Sequence, residues 1–231
     1  MIRVSNVKFE TPITLESDSP FVVYVENPSE FFCLVQDLRC AFDGSESEFS
    51  FWKKDVEISA EKKGEIILSP FFFDLADKKI ISLLHKRLND EFLSGDYIVR
   101  LNEITSMTES FLYDLFSRVD FSIDFSELTL SDLLKAVGVK PSNEYATVLE
   151  KIVCYINIYA ELKNISFFVL VGIKTVLSDE EITELYKHCS LQKISLLLIE
   201  GGRARKTLEN ERIIIVTEDL CEIVANIDEM R

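Results

Sequence analysis

Cations are scarce in this chain. Of its 231 residues only 25 are Lys or Arg against 40 Asp or Glu, a formal charge of −15. That balance argues against a plain nucleic-acid coat, which is usually basic. It leaves DNA binding to local Lys/Arg patches or to bridging cations. Glycine (7) and proline (5) are also few, excluding collagen-like and linker-like low complexity. The five cysteines, at 33, 40, 154, 189 and 221, are odd in number, scattered, and never spaced Cys-x-x-Cys. They read as buried reduced thiols rather than a disulfide framework or zinc site. No apolar run reaches the ~18 residues of a spanning helix. Residues 1–6, MIRVSN, lack the apolar core of a signal peptide. A soluble, cytoplasmic protein is the expectation. What the chain does have is core material: 47% hydrophobic residues, 11% aromatic, and 17 Phe. That excludes a disordered chain and suits one large domain or two small ones.

Two apolar patterns alternate. Short continuous runs at 21–25, 66–68, 167–171, 196–199 and 213–216 are rich in β-branched and aromatic residues. Such runs fit parallel strands covered on both faces. Between them lie helical stripes. Asn27-Pro28-Ser29-Glu30 reads as a helix start, followed by Leu34, Val35, Leu38 and Phe42 on one face. Further stripes run through 80–92, 101–119, 129–138, 148–159 and 178–189. Strand and helix alternate from 21 to 92, helices alone fill about 96–163, and alternation resumes from 166. This predicts an α/β fold: a mostly parallel sheet head, residues 1–93 and 165–231, interrupted by an α-helical insertion, residues 94–164. Residues 44–64, with Phe49, Phe51, Val56 and Ile58 alternating, suggest an antiparallel hairpin on the sheet edge. Residues 2–16 suggest another small hairpin.

A parallel sheet whose first strand feeds a helix invites a phosphate-binding reading. That chemistry needs glycines for the backbone to wrap phosphate, and a Lys. Here the strand is followed by Glu26-Asn27-Pro28-Ser29-Glu30, with two acids and neither Gly nor Lys. The two histidines, His85 and His188, read as surface residues, and no Ser or Cys is patterned with either. Nothing in the sequence asks for an enzyme.

Two charged constellations remain. Asp120, Asp124, Glu127 and Asp132 fall in one short stretch between two helices. Oxygen ligands on a bending segment are what Ca²⁺ takes. The same acids also read as a solvated turn, with Asp132 as the third residue of a capping box opened by Thr129. The second constellation is basic: Lys53-Lys54, Lys62-Lys63, Lys78-Lys79, Lys86-Arg87, Lys135, Lys140 and Arg203-x-Arg205-Lys206. Lys135 and Lys140 border the acidic stretch, where bound cations would leave a positive face.

Residues 128–140, LTLSDLLKAVGVK, resemble the signature helix of the CRISPR-associated spacer-adaptation proteins of type II-A systems. The segments 147–152 (TVLEKI), 167–171 (FFVLV), 178–182 (SDEEI) and 191–200 (LQKISLLLIE) are similar, in order, to the helices and strands beyond that helix in the same proteins. The resemblance implies an α/β head related to P-loop folds without a working nucleotide site, and an inserted helical leg. It implies a calcium-supported homotetrameric ring that threads double-stranded DNA ends through a Lys-lined hole. It also implies a role in spacer acquisition, beside the adaptation integrase and the RNA-guided effector nuclease, with no enzyme activity of its own. By position, Asp124, Glu127 and Asp132 fall on acidic positions of the motif that holds calcium, and Asp120 lies near one. Lys135 and Lys140 match basic positions assigned to DNA phosphates. The competing readings are an acidic adaptor without DNA contact and a P-loop-like nucleotide-binding enzyme.

Overall fold

The computed structural model describes residues 1–225. In chain order the elements are β1 (Ile2–Ser5), β2 (Ile13–Leu15), β3 (Phe21–Val25), α1 (Pro28–Phe42), β4 (Ser50–Lys53), β5 (Val56–Ile58), α2 (Ala60–Lys63) and β6 (Gly64–Ile67). Three helices come next, α3 (Lys78–Ser94), α4 (Ile98–Phe116) and α5 (Leu130–Val137). The remainder is α6 (Val148–Lys163), β7 (Phe167–Val171), α7 (Asp179–Leu191), β8 (Ser195–Gly201), β9 (Arg212–Val216) and β10 (Glu222–Ala225). No helix among the described residues is long and apolar enough to cross a membrane.

The chain divides into two units, Met1–Phe73 with Glu144–Arg231, and Asp74–Asn143. The first holds a six-stranded sheet in the order β10-β9-β3-β8-β7-β6. Its strands are parallel except β10, which runs antiparallel to β9. Every residue of β3 and β7 is buried, as strands covered on both faces must be. The expected hairpins both form, but not on this sheet's edge. They join as a separate antiparallel sheet, β2-β1-β4-β5. Its inner residues Val4, Ile13, Leu15 and Phe51 share one core with Leu34, Leu38 and Phe42 of α1 and with Val23 and Phe167 of the large sheet. Phe51 stacks on Phe167 at 5.1 Å between centroids. Gly64 is dictated by that packing, since a Cβ there would lie 2.3 Å from the Phe167 ring.

The unit boundaries fall at 73/74 and 143/144, not at the expected 93/94 and 164/165. Helix α6 buries Leu149, Ile152, Tyr155, Ile156 and Tyr159 within the sheet unit, whereas α3 belongs with the helical unit. Helix-only sequence marks a run of helices, not the unit each one packs in. In the helical unit, α3 and α5 pack together. The Nε2 of His85 on α3 lies 2.9 Å from the Val139 carbonyl oxygen beyond α5. A carbonyl only accepts, so that nitrogen carries the proton. His85 is therefore half-buried and tied down, not a free surface residue. All five cysteines are free, but only Cys189 is buried. Cys33 and Cys221 are exposed, contrary to the expected burial. Burial pushes the Cys189 thiol up to about 12, so it stays protonated.

Candidate functional site

The carboxyl edge of a parallel sheet is where α/β proteins bind ligands, and here several of the polar groups at that edge are engaged by the chain itself. Asn27 caps α1, its Oδ1 accepting the amide hydrogens of Ser29 at 3.0 Å and Glu30 at 3.1 Å. Amides that would hold a phosphate at a helix N-terminus are thus already satisfied. The Glu30 carboxylate beside them pairs with Lys8. Strand β8 carries Glu200 near its carboxyl end, 2% exposed, with Oε1 accepting the Lys174 amide hydrogen at 3.0 Å. Burial pushes its carboxyl up to about 7, against the pull of the Lys174 and Ile173 amides and the Lys174 charge. The Lys174 ammonium pairs with Glu211. Arg205, from the loop after β8, donates to the Lys174 carbonyl oxygen at 2.7 Å. These charges knit the loops together and leave no Gly-rich cradle.

In the helical unit, the segment between α4 and α5 is anchored by Phe125. Its ring meets Tyr113 at 5.4 Å and Phe116 at 5.7 Å, both on α4. That anchor sets Asp124 and Glu127 beside α4. Together with Glu109, Asn102, Thr105, Ser106 and Tyr113 they line an open polar groove of about 460 Å³. Residues 102, 105, 106, 109 and 113 follow the 3.6-residue period of one helix face. Helical spacing could therefore have flagged Glu109, which sequence reasoning left out.

The other two acids stand apart. Asp120 lies in the bend after α4 and does not line the groove. Asp132 closes a capping box: its Oδ2 accepts from the Thr129 amide at 3.2 Å and from the Thr129 hydroxyl. The hydroxyl hydrogen bond, with the amide beside it, holds the Asp132 carboxyl below its usual range. Among the described residues no three His, Cys, Asp or Glu side chains converge as a metal group. The groove's donors are hard oxygens, the chemistry Ca²⁺ selects. Asp124, Glu127 and Glu109 line that groove without converging as a metal group, and one carboxylate oxygen of Asp132 is engaged by its helix cap.

Lys135 sits in the last turn of α5, where a cation suits the helix dipole. The helix then stops at Gly138, whose φ of 69° is left-handed, a conformation that favours glycine. Lys140 lies two residues further on. Both side chains are exposed. The helical unit also carries apolar side chains on its outside. No residue of α4 is buried, while Ile98, Val99, Met107 and Phe111 are exposed by 54%, 66%, 75% and 62%.

The chain is 22% identical over 205 residues to a CRISPR-associated protein Csn2 of Streptococcus agalactiae, covering 88% of this chain and 90% of that protein. Its fold is similar to the crystal structure of Stu0660 of Streptococcus thermophilus, at a TM-score of 0.54 and 14% identity, covering 94% of this chain and 74% of that one. The family model described as CRISPR-associated protein (Cas_Csn2) matches residues 41–220. With that model matching residues 41–220, most of its length, the chain belongs to the CRISPR-associated Cas_Csn2 family.

Proposed function

We infer that this protein acts in type II-A CRISPR adaptation as a ring-forming binder of double-stranded DNA ends, supported by calcium, and not as an enzyme. Family membership supports the adaptation role. The observation that carries self-association is α4, a 19-residue helix with no buried residue and a run of exposed apolar side chains. Apolar surface of that extent on a helix is usually covered by another protein surface, and a second copy of the same helical unit is the partner this reading assigns.

In a closed ring each chain repeats the same surface, so two exposed lysines per chain give a collar of cations. Lys135 and Lys140 supply them. Encirclement needs no base readout, because phosphate contacts position without specifying sequence. Such contacts release counterions, so binding weakens as salt rises. Calcium held by Asp124, Glu127 and Glu109 would neutralise the acidic groove. The integrase and the RNA-guided effector nuclease are the partners this role implies. The decisive experiment is a mobility shift with linear and covalently closed circular duplexes of equal length. Retention of the linear form alone, with loss on sealing its ends, supports threading. Equal retention of both would sink it.

A further inference from the structure

The chain crosses between its two units at 73/74 and again at 143/144. Phe73 and Tyr145 flank those crossings, and both belong to the sheet unit. Lys151, in the first turn of α6, is 8% exposed. Its Nζ lies 4.6 Å from the centroid of Phe73 and 5.3 Å from that of Tyr145. Both distances are within the ~6 Å at which an ammonium is attracted by an aromatic face. One cation is thus shared by two rings that come from opposite crossings.

The rest of α6 fixes this arrangement. Phe73 also packs on Tyr155 at 4.4 Å. Tyr155 stacks on Tyr159 and donates its hydroxyl to Glu65 Oε1 at 3.1 Å. On the other side, the Glu150 carboxylate accepts the amide hydrogens of Ala146 and Thr147, closing a capping box just after Tyr145. An apolar residue at 151 would fill the same space but exert no pull on ring faces.

We propose that Lys151 is a clamp that holds both crossings to the sheet unit at once, so that they loosen together. The test is amide hydrogen exchange on the full chain, read at 72–76, at 143–147 and, as an internal control, at the core strand segment 196–199. Lys151→Met is expected to speed exchange at both crossings by roughly tenfold and to leave 196–199 unchanged. Tyr145→Ala is expected to speed exchange at 72–76 as well as at its own segment, while Tyr145→Phe, which keeps the ring face, leaves the wild-type rates. Tyr145 is 41% exposed, so its variants decide the matter even if Lys151→Met loses protection throughout. Unchanged exchange at 72–76 in Tyr145→Ala would overturn the proposal, as would unchanged exchange at both crossings in a folded Lys151→Met.

Discussion

Lys174 and Glu211 form an ion pair at 2.5 Å with side chains only 5% and 0% exposed. Glu211 Oε1 also accepts the Tyr186 hydroxyl at 2.6 Å, and its Oε2 accepts the Leu208 amide at 2.9 Å. Burying two charges is costly unless each is fully paired. Removing one partner is therefore worse than removing both. Glu211→Gln is expected to destabilise the protein by about 3–5 kcal/mol, because it strands the Lys174 charge. The double variant with Lys174→Met should cost less than the sum of the two single variants. Urea unfolding of the four species in a double-mutant cycle measures the coupling; additive effects would refute it.

Glu200 gives the fold a pH dependence of definite sign. Its folded carboxyl is pushed up to about 7, above the ordinary value, so the native state holds a proton that the unfolded chain has released. Stability from this group is fully present below the ordinary carboxyl range and is lost as pH rises from there through about 7. Glu200→Gln keeps the carbonyl acceptor for the Lys174 amide and removes the titration. The variant should be more stable than the parent at about pH 8, by up to about 3 kcal/mol, with the advantage fading by about pH 5. A pH-independent difference in unfolding free energy would contradict this.

In the proposed reading, the acidic stretch divides into groove residues that hold calcium and a residue that caps α5. Asp124→Asn and Glu127→Gln are each expected to weaken calcium binding in titration calorimetry without lowering the melting temperature of the calcium-free protein. Glu109→Gln should behave the same way, although the sequence motif did not include it. Asp132→Asn should lower the calcium-free melting temperature by weakening the capping box of α5. If Asp132→Asn abolished calcium binding with the melt unchanged, the assignment would be reversed.

Lys135 and Lys140 are expected to touch phosphates. Replacing both with Ala should weaken duplex binding and flatten its dependence on salt, by about 0.9 in log–log slope for each phosphate no longer neutralised. Assembly should be unaffected. Wild-type salt dependence in the double variant would place the DNA elsewhere.

Much of the architecture was legible because burial on both faces leaves continuous apolar runs. The runs at 21–25 and 167–171 coincide with β3 and β7, and those at 196–199 and 213–216 lie within β8 and β9. Caps were equally plain: Asn27, the Thr129–Asp132 box with its left-handed Gly138, and the Ser178–Glu181 box all form. The unit boundaries were not legible, because the α6 stripe reads the same whichever sheet or bundle receives it. Nor was the second sheet, since an alternating hairpin does not state which edge it joins. In the acidic stretch, residue types were visible but their division between groove and cap was not. Phe125 docking on Tyr113 and Phe116 turns two of the four acids toward α4, and sequence spacing carries no record of that docking.

The proposed ring depends on self-association through the helical unit. Light scattering of the full chain, with calcium and again after chelation, measures it directly. A calcium-supported mass near four times 26.5 kDa, falling when the metal is removed, is the expected result. A single-chain mass under both conditions would contradict the ring and leave the exposed face of α4 without its partner.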